Sequence, residues 1–102
     1  MNKSDIKVVT ICGSMKFKED MISVSQELEL KNGYVVIQCV YGINPDTCSE
    51  LDMENLSKLH FKKIDISDAI YVVNVGGYIG ESTKKEIEYA KKMGKEIMYL
   101  ES

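Results

Sequence analysis

Four short apolar runs rich in β-branched residues, each separated from the next by a stretch of helical periodicity, leave this chain few ways to fold. The runs are Lys7-Val8-Val9-Thr10-Ile11-Cys12, Tyr34 to Val40, Ala69 to Val75 and Glu96 to Leu100. They are continuously apolar rather than alternating, the pattern of strands covered on both faces, and so of a parallel sheet. Between the first two, Phe17, Met21, Val24 and Leu28 recur on one helix face, and Asn32-Gly33 supplies a left-handed stop. Tyr41 to Glu50, with Gly42 and Asn44-Pro45-Asp46, reads as a loop that could lie over a site. A second helix starts near Leu51 with Leu56, Leu59 and Ile64 facing inward. A third runs from Thr83 to Met93, with Ile87 and Ala90 inward and Gly94 as its end.

The order βαβαβαβ with right-handed crossovers predicts a three-layer α/β fold, a flavodoxin- or Rossmann-like parallel sheet of four strands in the order 2-1-3-4, with three helices. In that order the first helix covers one face alone while the other two share the opposite face. Apolar surface is then left over, which predicts a homodimer or higher homo-oligomer.

The chain's 102 residues suit one domain, 1–102, and 44% hydrophobic with 28% charged residues is ordinary globular composition. A net charge of −3 without a basic run gives no footprint for a nucleic acid polymer. Met1 to Asp5 lacks the apolar core of a signal peptide, and no apolar run is long enough to span a membrane. Cys12, Cys39 and Cys48 show no C-x-x-C spacing and there is a single histidine, so neither disulfides nor structural zinc are expected, and a cytoplasmic setting fits.

Open parallel sheets bind ligands beyond the carboxyl ends of their strands, at the switch point. Two loops converge there: Gly13-Ser14-Met15-Lys16 after the first strand, and Gly76 to Ser82 after the third. Candidate binding residues are Gly13, Ser14 and Lys16 from one loop, and Asn74, Gly76, Gly77, Tyr78, Gly80 and Ser82 from the other. Neither loop matches the dinucleotide fingerprint or the P-loop, so no nicotinamide or ATP cofactor is expected. Thr83-Lys84-Lys85-Glu86 reads as a capping box at the start of the third helix. The same Glu86, facing the binding edge, is also where a carboxylate nucleophile would be presented. Cys12, with no base evident beside it, reads as a buried strand-end residue.

The stretches "TICGSMKF", "DAIYVVNV" and "GESTKKEIEYAKKMGK", in that order along most of the chain, resemble the nucleoside 2-deoxyribosyltransferase-like superfamily, which includes 2′-deoxynucleoside 5′-phosphate N-hydrolases. The resemblance implies that Glu86 attacks C1′ of a deoxyribose and expels the base, to be relieved by a second base or by water. It also implies that Cys12-Gly13-Ser14 contacts substrate, and that the partner is a small-molecule nucleoside or nucleotide with no metal or cofactor needed. The chain departs from the family at a second acidic group. Where the family carries an aspartate, eight residues before Asp68, this sequence has His60. Helix geometry places His60 ~12 Å nearer the binding edge than Asp68, so His60 is the candidate proton-transfer partner of Glu86. Asp52 and Glu54 rank below it. Loss of the aspartate also leaves open a non-catalytic nucleotide-binding or sensing module on the same scaffold.

Overall fold

The structure is a computed structural model that describes residues 5–44 and 46–101; Pro45 of the expected loop and Met1 to Ser4 of the amino terminus lie outside the described residues. Its sheet is built from β1 (Val8–Cys12), β2 (Val35–Ile37), β3 (Ala69–Val72) and β4 (Glu96–Tyr99). All neighbours pair in parallel, in the order β2-β1-β3-β4, as expected from the alternation of elements. Three α-helices connect them: α1 (Lys18–Asn32), α2 (Glu50–Asp65) and α3 (Glu81–Lys92). Among the described residues, no helix is long and apolar enough to cross a membrane.

The core is two-sided because the strands are apolar on both faces. Met21, Val24 and Leu28 of α1 pack with Ile11 and Val73 on one side. Ile64 of α2 and Ile87 and Ala90 of α3 pack with Cys12, Ile70 and Val72 on the other. A single helix on the first side leaves a shallow groove over β3 and β4, lined by Leu28, Tyr34, Tyr71, Met98 and Leu100.

Two strands, β2 and β3, stop well short of the carboxyl ends of the apolar runs that announce them. Beyond Ile37 the chain leaves the sheet, and side chains take over the ladder: Cys39 Sγ donates to Ile11 O at 3.4 Å and Lys63 Nζ to Gln38 O at 2.9 Å. Beyond Val73, the Asn74 side chain makes paired hydrogen bonds with the Glu101 backbone at 2.8 and 2.9 Å, standing in for a further strand pair.

Helix α2 departs most from expectation. Ile64 is fully buried, but Leu59 is 57% exposed and Leu56 only half-buried. The carboxyl-terminal half of α2 is held firmly. Thr10 Oγ1 shares a hydrogen bond with Ser67 Oγ and reaches Lys63 O at 3.1 Å, while Tyr89 donates to Asp65 and its ring meets Phe61 edge-on at 4.9 Å. The amino-terminal half turns its apolar side chains to the cleft rather than to the core, with Met53, Leu56 and Leu59 among the lining residues. Sequence periodicity identifies a face; it does not say whether anything lies under it. Met93, the expected end of the third helix, is likewise 48% exposed because it follows the last packed turn of α3.

The capping chemistry also moves. Helix α3 begins at Glu81 with Gly80 as its N-cap, two residues before Thr83, so Thr83 and Glu86 form no capping box. Thr83 is instead buried within the first turn, and Glu86 is the sixth helical residue rather than the third. The capping box occurs on α2: Ser49 Oγ accepts from Asp52 N, and Asp52 Oδ2 accepts from Ser49 N, both at 3.0 Å. Asp52 is therefore occupied as a cap. Gly33 does provide the expected left-handed stop to α1, with φ 69°.

Candidate active site

The carboxyl ends of β1 and β3 open into a cleft of about 860 Å³. Gly13, Ser14 and Met15 form one wall, Gly80 to Thr83 with Glu86 another, and α2 with Cys39, Val40 and Ile43 the rest. Gly13 turns the chain at the switch point in close quarters. A Cβ there would lie 3.1 Å from both Met21 Sδ and Val73 O. Gly13→Ala is therefore expected to cost about 1–3 kcal/mol of stability, read from the denaturant midpoint; an unchanged midpoint means the loop yields freely.

Three side chains meet at the floor. Cys12 ends β1 and is fully buried; His60 comes from α2 and is 9% exposed; the Glu86 side chain, from α3, is 17% exposed. His60 Nε2 lies 3.5 Å from Cys12 Sγ and 3.6 Å from Glu86 Oε1. Burial pushes the Glu86 carboxyl up to about 7, against a smaller opposing effect of the Cys12 thiol hydrogen-bonded to it. Burial, with some repulsion from Lys63, pushes His60 down to about 4. Burial also raises the Cys12 thiol well above its ordinary range. Near neutral pH the imidazole is uncharged, the thiol keeps its proton, and Glu86 is close to half-ionised. The 3.6 Å contact is thus a close approach of neutral imidazole to a carboxyl, not a standing ion pair.

This cluster joins residues far apart in sequence for one reason. Each stands where its element passes the carboxyl edge of the sheet: the end of β1, the last half of α2 and the second turn of α3. Cys12 is the member the sequence reading set aside. The signal that could have found it is its position on the strand adjoining the switch point.

Of the other expected binding residues, Gly13, Ser14, Gly80 and Ser82 line the cleft. Lys16, Asn74, Gly76, Gly77 and Tyr78 are not among its lining residues and have contacts or roles of their own. Lys16 Nζ sits 3.3 Å above the centre of the Tyr78 ring, which meets Phe17 edge-on at 5.9 Å. Asn74 is held by Glu101, whose carboxylate also accepts from Gly76 N at 2.7 Å. Gly76 and Gly77 carry φ of 65° and 83°, the left-handed region that favours glycine, and so are explained by the turn itself. The cleft wall is more apolar than the two loops suggest, because Met15, Val40, Ile43, Met53 and Leu56 all face it. No periodicity rule assigns such residues to a ligand. They come from three places, the loop after β1, the segment after β2 and the amino-terminal half of α2, which only the fold brings to one cleft.

No protein-family model matches the chain, and no curated protein matches it. Among solved structures, the chain is similar to the Clostridium botulinum CMP N-glycosidase BcmB, with 23% sequence identity and a TM-score of 0.59. The match covers 91% of this chain and 67% of that one. At this identity the likeness is one of fold.

Proposed function

We propose that this protein cleaves or exchanges the N-glycosidic bond of a small nucleoside or nucleotide, with Glu86 as the nucleophile. The observation that carries the reading is the placement of a half-buried carboxylate at the switch-point cleft, 3.6 Å from the chain's one histidine. The motif resemblance to deoxyribosyltransferase-like enzymes and the fold shared with an N-glycosidase that acts on CMP support the same chemistry. A deoxynucleoside or its 5′-phosphate is the substrate class that the resemblance favours.

In this reading Glu86 attacks C1′ as the bond to the base breaks, giving a glycosyl ester that water or a second base then releases, as in retaining glycosidases. The reaction needs Glu86 ionised, and a carboxyl poised near neutrality supplies that form without a large conformational change. His60 is unprotonated over the same range. It serves by donating Nε2–H to the carboxylate, or by taking a proton from the water that frees the sugar. Ser14, Gly80 and Ser82 line the wall that would receive the sugar and any phosphate, beside the N-terminus of α3. Met53, Leu56 and Ile43 offer an apolar surface to the base.

A second reading, nucleotide binding without turnover, draws on the histidine that stands where the resemblance implies an aspartate. Incubation with a panel of deoxynucleosides, ribonucleotides and deoxynucleotides, with and without an acceptor base, separates the two. Base release is expected; saturable binding with no release from any member of the panel overturns the enzymatic reading. Release without acceptor means hydrolysis, and dependence on acceptor means transfer.

A further inference from the structure

We propose that Cys12, His60 and Glu86 form a binding site for a thiophilic divalent cation, Zn²⁺ above all, and that its occupancy switches the cleft off. Each residue offers one ligand atom, and the three atoms lie within 4.8 Å of one another. Two of the three spacings are those a tetrahedral zinc site requires. With Zn–S of about 2.3 Å and Zn–N or Zn–O of about 2.0–2.1 Å, the edges of the tetrahedron are roughly 3.6 Å for S···N and 3.3 Å for N···O. The observed edges are 3.5 Å and 3.6 Å. One nitrogen, His60 Nε2, makes both edges, and the third, from the Cys12 sulfur to the Glu86 carboxylate, lies within 4.8 Å, so a small shift of the Glu86 side chain closes the set around one ion.

The donor set selects the ion. A thiolate and an imidazole are poor ligands for Mg²⁺ or Ca²⁺ and good ones for Zn²⁺. A thiolate and a carboxylate carry two negative charges, which the dication balances, whereas either anion alone is costly in this buried setting. Binding sends the Cys12 thiol proton to solvent, the ordinary consequence of metal coordination. The ammonium of Lys63, hydrogen-bonded to Gln38 O at 2.9 Å, opposes a cation here, and the two anionic ligands outweigh its single charge. His60 and Glu86 line the cleft while Cys12 lies beneath, so three protein ligands leave a fourth position toward the cleft, the coordination of an accessible rather than a structural site. A coordinated Glu86 has its attacking lone pair committed. The inhibitory consequence rests on the proposed nucleophilic role; the binding does not.

The full chain, stripped with a chelator and kept reduced by a phosphine under nitrogen, is titrated with Co²⁺ and followed for sulfur-to-cobalt charge-transfer absorption. One Co²⁺ per chain with that absorption, displaced by Zn²⁺, is expected. Cys12→Ser is expected to lose the absorption, and Cys48→Ser to keep it. Glu86→Gln is expected to bind more weakly by at least the roughly 10–100-fold that loss of even an outer-sphere partner costs. Absence of the absorption, its persistence in Cys12→Ser, or unchanged affinity in Glu86→Gln overturns the site. Should Cys12→Ser fail to fold by circular dichroism, Glu86→Gln decides the question. Base release assayed alongside separates the two proposals. Zn²⁺ binding with no release from any nucleotide leaves the metal site standing and removes the enzyme. Release that Zn²⁺ does not inhibit, from a protein that binds no Co²⁺, does the reverse.

Discussion

Glu86→Gln is expected to abolish base release and, at pH 8, to make the protein more stable than the wild type. Removal of a covalent nucleophile costs on the order of 10⁴-fold or more in turnover. The gain in stability has a separate origin. The carboxyl titrates at about 7 in the folded chain against 4.5 for an unburied glutamate, because ionisation is disfavoured where the side chain is enclosed. Between those values the unfolded chain ionises Glu86 and the folded chain does not. The wild type therefore loses stability as pH rises through that window and carries the whole penalty above it. A difference of this size corresponds to on the order of 3 kcal/mol, or roughly 10 °C or more in Tm for a domain of this length. Glutamine keeps an oxygen for the Cys12 thiol and carries no charge. Thermal melts of both proteins with a chelator present should diverge at pH 8 and converge near pH 4.5. Equal melts at pH 8 would remove the burial argument, and base release by the variant would remove the nucleophile.

His60→Gln is expected to mirror this on the acid side. The imidazole titrates at about 4 in the folded chain against 6.5 for a free histidine, again chiefly because burial disfavours the charged form. Below 6.5 the unfolded chain takes up a proton that the folded chain refuses, so the wild type loses stability as pH falls to about 4 and the variant does not. The advantage of the variant at pH 4 is on the order of 3 kcal/mol, absent above pH 7. Turnover should fall by about 10²–10⁴-fold, the usual contribution of a positioned proton-transfer or hydrogen-bonding group. A fall in kcat with KM preserved supports action at the reacting centre. A variant as active as the wild type assigns His60 to packing alone. In the wild type the two groups oppose each other: between pH 4.5 and 6.5 what Glu86 loses on alkalinisation His60 recovers.

That the chain keeps side by side two titratable groups whose charged forms burial disfavours is itself informative. Either could be replaced by an apolar side chain of similar volume at a gain in stability. Stability forgone at a cleft is the usual mark of a site kept for chemistry.

The sheet order, the coverage of its two faces and the edge at which a site would form all follow from the alternation of apolar runs with helical periods, because βαβ handedness and strand twist leave little choice. His60 and Glu86 are named as a pair by the family resemblance, through the place eight residues before Asp68 and the start of the last motif. Helix rise, about 1.5 Å per residue, adds only that His60 stands nearer the binding edge than Asp68. The frame in which α3 begins could not be named from the sequence. Gly80 and Thr83 are both acceptable near a helix start, and only the burial of Thr83 and the packing of Ile87 against the strands choose the earlier one. The fate of Lys16, Asn74 and Gly76 was equally hidden, because Tyr78 and Glu101 reach them through folds of the chain that no local pattern encodes.

What the sequence by itself determined is therefore the scaffold and the edge, properties set by periodicity, handedness and rise per residue, all local quantities. What only the tertiary structure decided is which side chains meet at that edge. The approach of Cys12 to His60 and Glu86 depends on how the carboxyl-terminal half of α2 seats against β1 and α3, and that seating is made by the contacts of Thr10, Ser67, Tyr89 and Asp65. His60 lies on the same half, five residues before Asp65, so its distances to the other two side chains are fixed by partners from β1, α3 and the turn after α2. No local pattern contains those distances, and the cluster exists only once the whole core has packed.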